Sequence, residues 1–288
     1  MKALYLAVLM TALTGCAQHS QTTAIAVSAS DVIKKAKAHE WQTVSTQNIL
    51  KITLPTGSAY IKLNPELAPK HTAHIKELAR EGFYKDTSVY RFVEGFVAQG
   101  GDSSGNKKIQ TANKTVPAEF YLETTQPFKI TELKGDGYAL VTGFLNGFAV
   151  AQNQTHTQTW QVHCNGVFAM ARDNDINSAS TEFFVTIGQG PRYLDKNITV
   201  FGRVLEGMEH FNRLQRTPTD GVAFNPITNV QVLADVKNDK SVFKVMKTDS
   251  VSFKRLIDAR KNRTEPWFVQ SYNYVDVCAM PIPTKRID

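Results

Sequence analysis

Arg91 stands between two aromatic residues, Tyr90 and Phe92, and the run continues Val93-Glu94-Gly95-Phe96-Val97-Ala98-Gln99-Gly100-Gly101-Asp102. Arginine keeps its charge at every physiological pH and offers a rigid fork of N–H donors. A donor fixed in this way can stabilise a lone pair or partial charge that develops only while a bond is distorted. Taken alone, an arginine between aromatic residues on a strand reads as a surface ion-pair or stacking residue, and Phe96 and Phe184 read as core. His71 and His74 lie three apart on an expected helix. No second ligand pair at metal spacing accompanies them, so a solvated helix face is expected and no metal site. His163-Cys164 is a weak metal cue of the same kind. The chain has no Cys-x-x-Cys arrangement, so a redox function built on Cys164 and Cys278 ranks behind the other readings.

The motifs taken in order say more than any one residue. The run from Tyr90 to Asp102 resembles the cyclophilin signature, in which an aromatic or histidine next to arginine is followed by Gly-Phe and then Gln-Gly-Gly-Asp. Upstream, Glu66-Leu67-Ala68-Pro69 and Gly82-Phe83-Tyr84 fit the family's first helix and its exit. Downstream, Gly166 to Arg172, Ser180-Thr181-Glu182-Phe183-Phe184, Leu194-Asp195 and Val200-Phe201-Gly202-Arg203-Val204 follow in the family's order. The resemblance spans about Ile49 to Ala234. It implies a mainly β fold, a closed antiparallel barrel of about eight strands capped by two helices, and peptidyl-prolyl cis-trans isomerase activity without a cofactor.

The residue types suit that reaction. A peptide bond resists rotation by about 18–20 kcal/mol because the nitrogen lone pair is delocalised into the carbonyl. Before proline both isomers are accessible, yet they interconvert only in tens to hundreds of seconds. A catalyst must favour the twisted amide, whose lone pair is localised on the proline nitrogen. The resemblance makes Arg91 the donor to that nitrogen and Gln99 the second catalytic residue, on the substrate carbonyl side. Phe96, Val97, Phe184 and Leu194 match the apolar pocket for the proline ring. The backbone at Ala171 and Arg172 matches the strip that binds the peptide main chain, and Glu182 and Tyr193 complete the substrate-binding set.

The chain departs from the family at several positions. Tyr90 stands where many members have histidine, Val97 where methionine is usual and Glu182 where glutamine precedes the two phenylalanines. A carboxylate at 182 is positioned to pair with Arg91 and weaken its grip on substrate. Tyr193 and Ile198 replace the tryptophan and histidine of cyclosporin-sensitive members, so strong inhibition by that drug is not expected. The rival reading is a catalytically weak module that binds a proline-containing segment of an envelope protein. Arg91, Phe96, Gln99 and Phe184 together favour the enzyme; Glu182, the insertion and the tail favour the module.

The elements that must position these residues follow from periodicity. Alternation at Ile49–Leu54 and Ala59–Leu63, joined through Pro55-Thr56-Gly57, predicts a β-hairpin. His71 to Gly82 carries Ile75, Leu78 and Ala79 at helical spacing with Gly82 as the stop. Strand-like runs return at Ser88–Val93, Gly166–Ala171, Glu182–Ile187, Val200–Val204 and Ile227–Leu233. Many short strands suggest a closed barrel, because closure removes exposed edges. A short helix is expected from Asp31 to Trp41, and the extra residues at about 124–160 read as a surface hairpin or loop elaboration whose end at Asn153–Trp160 either approaches the groove and shapes substrate choice or is a passive loop. The expected organisation is a signal peptide over 1–15, a lipidated N-terminus, tether and short helix over 16–44, the cyclophilin-like domain over 45–236, and an extension over 237–288 packed on the barrel. The extension should hold a helix near Ser252–Arg263 and dock Trp267-Phe268-Val269 on the barrel.

Met1-Lys2 and the apolar stretch Ala3–Leu13 have the layout of a secretory signal, too short for a permanent span of roughly 20 residues. It closes on Leu13-Thr14-Gly15-Cys16, which resembles the bacterial lipobox. Cys16 would then carry lipid, and Ala17 after it favours the outer membrane, with the protein facing the periplasm. Cys164 and Cys278 remain as an even pair in an oxidising space, and the sequence leaves open whether they lie within bridging distance. The formal charge of +7 is scattered, with Lys34-Lys35 and Lys107-Lys108 the densest pairs. No basic stripe or motif supports nucleic-acid binding. The expected partners are proline-containing polypeptides and the membrane, and the default state is a monomer.

Overall fold

The computed structural model describes residues 28–263 and 265–287. The signal segment and Cys16 lie outside the described residues. In chain order the strands are β1 (Trp41–Thr43), β2 (Ile49–Leu54), β3 (Gly57–Leu63), β4 (Thr87–Val93), β5 (Val97–Gly101) and β6 (Leu122–Glu123). Next come β7 (Thr131–Lys134), β8 (Val141–Leu145), β9 (Phe148–Gln152), β10 (Gln158–Gln161), β11 (Val167–Met170) and β12 (Phe183–Thr186). The series ends with β13 (Val200–Glu206), β14 (Pro226–Ile227), β15 (Asn229–Val232), β16 (Val242–Met246) and β17 (Thr284–Ile287). The α-helices are α1 (Ala29–Lys35), α2 (Pro69–Arg80), α3 (Met208–Asn212) and α4 (Val251–Lys261).

The largest sheet runs β14-β4-β5-β12-β11-β13-β3-β2-β15, and its pairs are antiparallel. Its two edge strands are consecutive in the chain: β14 pairs with β4, β15 pairs with β2, and Thr228 between them donates its N–H to the Thr53 carbonyl at 2.9 Å. The ends of the sheet therefore meet on one segment, which makes an eight-stranded barrel and removes its open edges. Leu50, Ile52, Ile61, Phe168, Phe183, Phe201 and Val230 fill the interior. Helix α2 covers it with Ile75, Leu78 and Ala79, and the short α3 adds Phe211.

Helix α2 begins with Pro69 at its first turn, where no N–H is needed. The Glu119 carboxylate accepts from the N–H groups of Lys70 and His71, each at 2.9 Å, so an anion stands at the helix N-terminus. His71 and His74 face inward, contrary to the expected solvated face: His71 Nδ1 pairs with Glu119 at 2.7 Å and His74 Nε2 donates to the Ser180 carbonyl at 2.7 Å.

The insertion is a sheet in its own right, ordered β6-β10-β9-β8-β7. Its central hairpin turns at Asn146-Gly147, both at positive φ (48° and 82°), as a two-residue turn matching the strand twist requires. A side chain at Gly147 would come within 3.1 Å of Lys62 Nζ. Lys62 donates to the Asn146 carbonyl and Arg203 Nε to the Gly147 carbonyl, the latter at 2.7 Å. Two barrel side chains, the buried Lys62 and the half-buried Arg203, thus clamp the tip of the insertion, and burial pushes Lys62 down to about 7.

The N-terminal segment and the tail form one unit. Strand β16 is flanked by β1 and β17, and α1 packs on α4. Residues 28–44 are therefore structured; Ser28, not Asp31, caps α1, and Trp41 opens a strand. A second apolar cluster joins this unit and the insertion to the outside of the barrel, with Trp41, Phe144, Trp160, Phe253, Leu256 and Val277 among its members. Trp267 and Val269 are exposed instead of docked, and Trp267 lies tilted against Phe268 with ring centroids 3.9 Å apart. Cys164 and Cys278 are joined by a disulfide, with Cα atoms 4.9 Å apart. Among the described residues no helix is long and apolar enough to cross a membrane.

Two outcomes follow for stability. The disulfide closes a loop of 114 residues. Replacing both Cys164 and Cys278 by alanine should lower unfolding stability by about 2–5 kcal/mol in denaturant titration, and an unchanged midpoint would refute this. Glu40 accepts from Ser252 N–H at 2.8 Å, Ser252 Oγ at 2.7 Å and Lys37 N–H at 2.9 Å, bonds that lower its pKa to about 2. A carboxylate held below its unfolded value stabilises the fold above pH ~4.5, and that contribution fades as pH falls toward 2. Thermal melts between pH 5 and 2 should show a shallower acid loss for Glu40→Gln, from a lower starting stability, than for the wild type.

Candidate active site

Cross-strand register puts one row of residues on the outer face of the barrel. Arg91 on β4 lies opposite Gln99 on β5, Gln99 opposite Phe184 on β12, and Phe184 opposite Ala169 on β11. The β4–β5 register shifts between Ser88 and Arg91. That extra residue on β4 re-aims the strand, as bulges beside functional sites do, so that Tyr90 and Arg91 both reach Gln99.

The polar end of the row is a chain of hydrogen bonds. Arg91 Nη1 donates to Gln99 Oε1 at 3.1 Å. The Gln99 amide nitrogen donates to Tyr90 Oη at 2.7 Å and to Glu182 Oε2 at 2.8 Å. Tyr90 Oη in turn donates to the same Glu182 oxygen. A carboxylate only accepts, so Glu182 forces the amide nitrogen of Gln99 toward itself and the carbonyl oxygen toward Arg91. Burial first, and then the bond to Glu182, raise the Tyr90 hydroxyl above its usual range, so it remains a donor at neutral pH.

Glu182 therefore spends its charge on Gln99 and Tyr90, and the expected pairing with Arg91 is replaced by a pairing one residue removed. Arg91 stays exposed and charged, held by a neutral amide. Gln99 is held in the same network. Both of its N–H donors are used inside the protein, and what it offers is orientation of the guanidinium.

The apolar end of the row lies against the second core cluster. Val97 and Phe184 are buried in it, and Phe96, Ala171, Leu194 and Ile198 pack on it while remaining half-exposed. Tyr193 stacks on Phe96 with ring centroids 6.4 Å apart. The ring of His163 lies 6.4 Å behind Phe184, and its Nδ1 bonds Asp195 at 3.0 Å. Asp195 also accepts from Arg192 Nε at 2.6 Å, and Arg192 pairs with Asp136 of the insertion. This buried network, which the sequence reading missed because its members are far apart in the chain, holds the turn that presents Tyr193 and Leu194.

Beyond Gln99 the face opens into a polar cavity of about 310 Å³ lined by Gln99, Asp102, Ala171, Arg172, Ser178 and Glu182 among others. The last ladder bond there runs from Ala171 N–H to the Glu182 carbonyl at 2.8 Å. Arg172 is the first residue past it, with its side chain turned away to the Asn197 carbonyl at 3.1 Å. Of the ten residues expected in the site, Gln99, Ala171, Arg172 and Glu182 line this cavity, Arg91 bonds Gln99, and Phe96, Val97, Phe184, Tyr193 and Leu194 gather at the apolar end. The end of the insertion also reaches the site's border: Lys196 donates to Gln158 Oε1 at 3.0 Å and lies over Trp160. Among the described residues no group of three or more His, Cys, Asp or Glu is placed to hold a metal ion.

The arrangement is a fixed cation, ion-paired with no carboxylate among the described residues, between a cluster of apolar side chains and the backbone at Ala171 and Arg172. It can bind an extended peptide, bury one ring and donate to an atom beside that ring.

Comparisons with known proteins agree with this reading. The family model described as cyclophilin type peptidyl-prolyl cis-trans isomerase/CLD matches residues 49–236. A probable peptidyl-prolyl cis-trans isomerase of Brucella suis is 29% identical over 206 residues, covering 66% of this chain and 85% of that protein. A peptidyl-prolyl cis-trans isomerase of Arabidopsis thaliana is 25% identical over 233 residues, covering 78% and 85%. The crystal structure of a cyclophilin from Hirschia baltica superposes with a TM-score of 0.71 at 28% identity, covering 89% of this chain and 96% of that one. With more than half of its length matched and a closed antiparallel barrel carrying the Arg91–Gln99 row, the chain belongs to the cyclophilin-type peptidyl-prolyl cis-trans isomerase family.

Proposed function

We propose that the protein rotates Xaa-Pro bonds of exported polypeptides and so assists their folding in the periplasm. The observation that carries the catalytic part is Arg91 held by Gln99 beside the pocket of Phe96, Val97, Phe184 and Leu194. A proline ring seated in that pocket brings its nitrogen toward the guanidinium. Donation to the nitrogen strengthens as the amide twists and the lone pair localises, so the interaction favours the transition state over either planar isomer. Apolar walls exclude water and enlarge the cation's field. The backbone at Ala171 and Arg172 holds the peptide extended, and Glu182 with Tyr90 keeps Gln99, and through it Arg91, from swinging away.

The cellular part of the proposal rests on the Lys2 and Ala3–Leu13 leader, on Cys16 as a lipid attachment point and on Ala17 after it, which favours the outer membrane. A disulfide is the expected state in such an oxidising compartment.

Two measurements test the chemistry. In a chromogenic Xaa-Pro tetrapeptide assay, Arg91→Ala should lower kcat/KM by ~100-fold or more while the melting temperature stays near wild type. A folded wild type that gives no acceleration would instead favour the binding module. Glu182→Ala should cost roughly tenfold in kcat, since it frees the Gln99 amide, whereas Glu182→Gln, whose side-chain oxygen still accepts from Gln99, should retain most of the rate. Equal loss in both would mean that charge at 182, and not orientation of Gln99, matters.

A further inference from the structure

Three large exposed side chains stand next to the proline pocket, and none comes from the barrel. Tyr138 (58% exposed) and Leu140 (70%) lie between β7 and β8 of the insertion, and Tyr274 (40%) lies in the tail. Tyr138 is placed by Arg192, which directly precedes Tyr193 and Leu194, and Leu140 follows two residues on, past the turn that the Asp136 N–H closes on the Ala139 carbonyl. Arg192 pairs with Asp136, its guanidinium stands 5.4 Å from the Tyr138 ring centroid, and Asp136 also accepts from the Tyr138 N–H at 2.8 Å. Tyr274 joins the same corner. Its neighbour Val275 is buried in one cluster with Ala139, and its hydroxyl feels the charges of Asp136 and Arg192. Outward from Phe96 and the Tyr193 stacked on it, Tyr138 lies over the guanidinium of the buried Arg192.

The cation in this corner is not free for a ligand, because Asp136 and Asp195 both pair with it in a buried setting. What the corner presents outward is therefore apolar and aromatic. Such a patch bordering a groove marks an interaction surface. The groove takes extended chain, and an extended chain advances about 3.3 Å per residue, so residues several positions from the proline pass over this corner.

We propose that Tyr138, Leu140 and Tyr274 form an apolar shelf, built by the insertion and the tail, that continues the groove and binds aliphatic and aromatic side chains of an unfolded client away from its proline. The shelf rests on the isomerase reading for the groove itself. It makes unfolded chains rich in apolar residues the preferred substrate over short peptides, which end before reaching it.

The test compares the wild type with the triple variant Tyr138→Ser, Leu140→Ser, Tyr274→Ser, first confirming equal melting temperatures. Two rates are measured, on an Xaa-Pro tetrapeptide and on refolding of a reduced, carboxymethylated protein whose folding waits on an Xaa-Pro bond. A third readout is fluorescence anisotropy of that labelled chain, kept unfolded, with each form of the protein. The variant should keep the tetrapeptide rate, lose roughly tenfold or more in kcat/KM on the refolding chain and bind the labelled chain correspondingly more weakly. Equal refolding rates and equal binding would overturn the shelf, as would an equal loss on the tetrapeptide. Self-association of the wild type without binding of the labelled chain would assign the corner to a second copy and also overturn it. If the wild type failed on the tetrapeptide, the isomerase reading would fall, while the anisotropy comparison would still decide the shelf.

Discussion

A guanidinium that is to hold a twisting amide must be fixed in place and yet left without a carboxylate of its own. The bond from Arg91 to Gln99 meets both conditions, because the amide that orients the cation carries no charge. Glu182 and Tyr90 act one step back, on the other end of Gln99. A direct Arg91–Glu182 pair would have fixed the cation equally well and neutralised it. Interposing Gln99 separates the two effects, so the departure from glutamine at 182 is compatible with catalysis.

That separation needs a rigid support, which the barrel supplies by closing on residues 226–232. Arg91, Gln99 and Phe184 lie on three adjacent strands, and their spacing is set by ladder hydrogen bonds and not by loops. The outer face of the same strands would be largely apolar if left bare. The insertion, the tail and the N-terminal segment pack on it in the second apolar cluster, which takes in Phe184 and Ala169 and leaves Arg91 exposed. The Asp136–Arg192–Asp195–His163 network ties this cover to the turn bearing Tyr193 and Leu194. The disulfide from Cys164 to Cys278 holds the tail beside the same segment.

Much of the barrel was legible because half-buried strands alternate and α2 repeats at helical spacing. The hairpin of β2 and β3, helix α2 and the strands around Arg91, Phe184 and Val200 are where periodicity puts them. The site residues were legible through ordered motifs, since their types alone read as core or surface. What stayed hidden depends on partners distant in sequence. His71 looks solvated until Glu119 is brought to it, and Trp41 looks helical until β16 pairs with it. The insertion reads as a surface hairpin or loop elaboration from its Gly, Asn and Thr content, and the hairpin at Asn146-Gly147 is there, but as the centre of a five-stranded sheet. Strand β5 was hidden by Gly100 and Gly101, which lack side chains to show a pattern; at Gly100 an added Cβ would come within 3.1 Å of the Ser88 carbonyl oxygen and 3.2 Å of Phe183, so a side chain there would be crowded.

The most direct test is a crystal structure with an Xaa-Pro tetrapeptide bound. The proline ring should rest against Phe96, Val97, Phe184 and Leu194, with an Arg91 Nη atom within hydrogen-bond reach of the proline nitrogen side and Gln99 still joined to Glu182. A peptide bound elsewhere, or an Arg91 that turns to pair with Glu182 when the peptide is present, would contradict the mechanism.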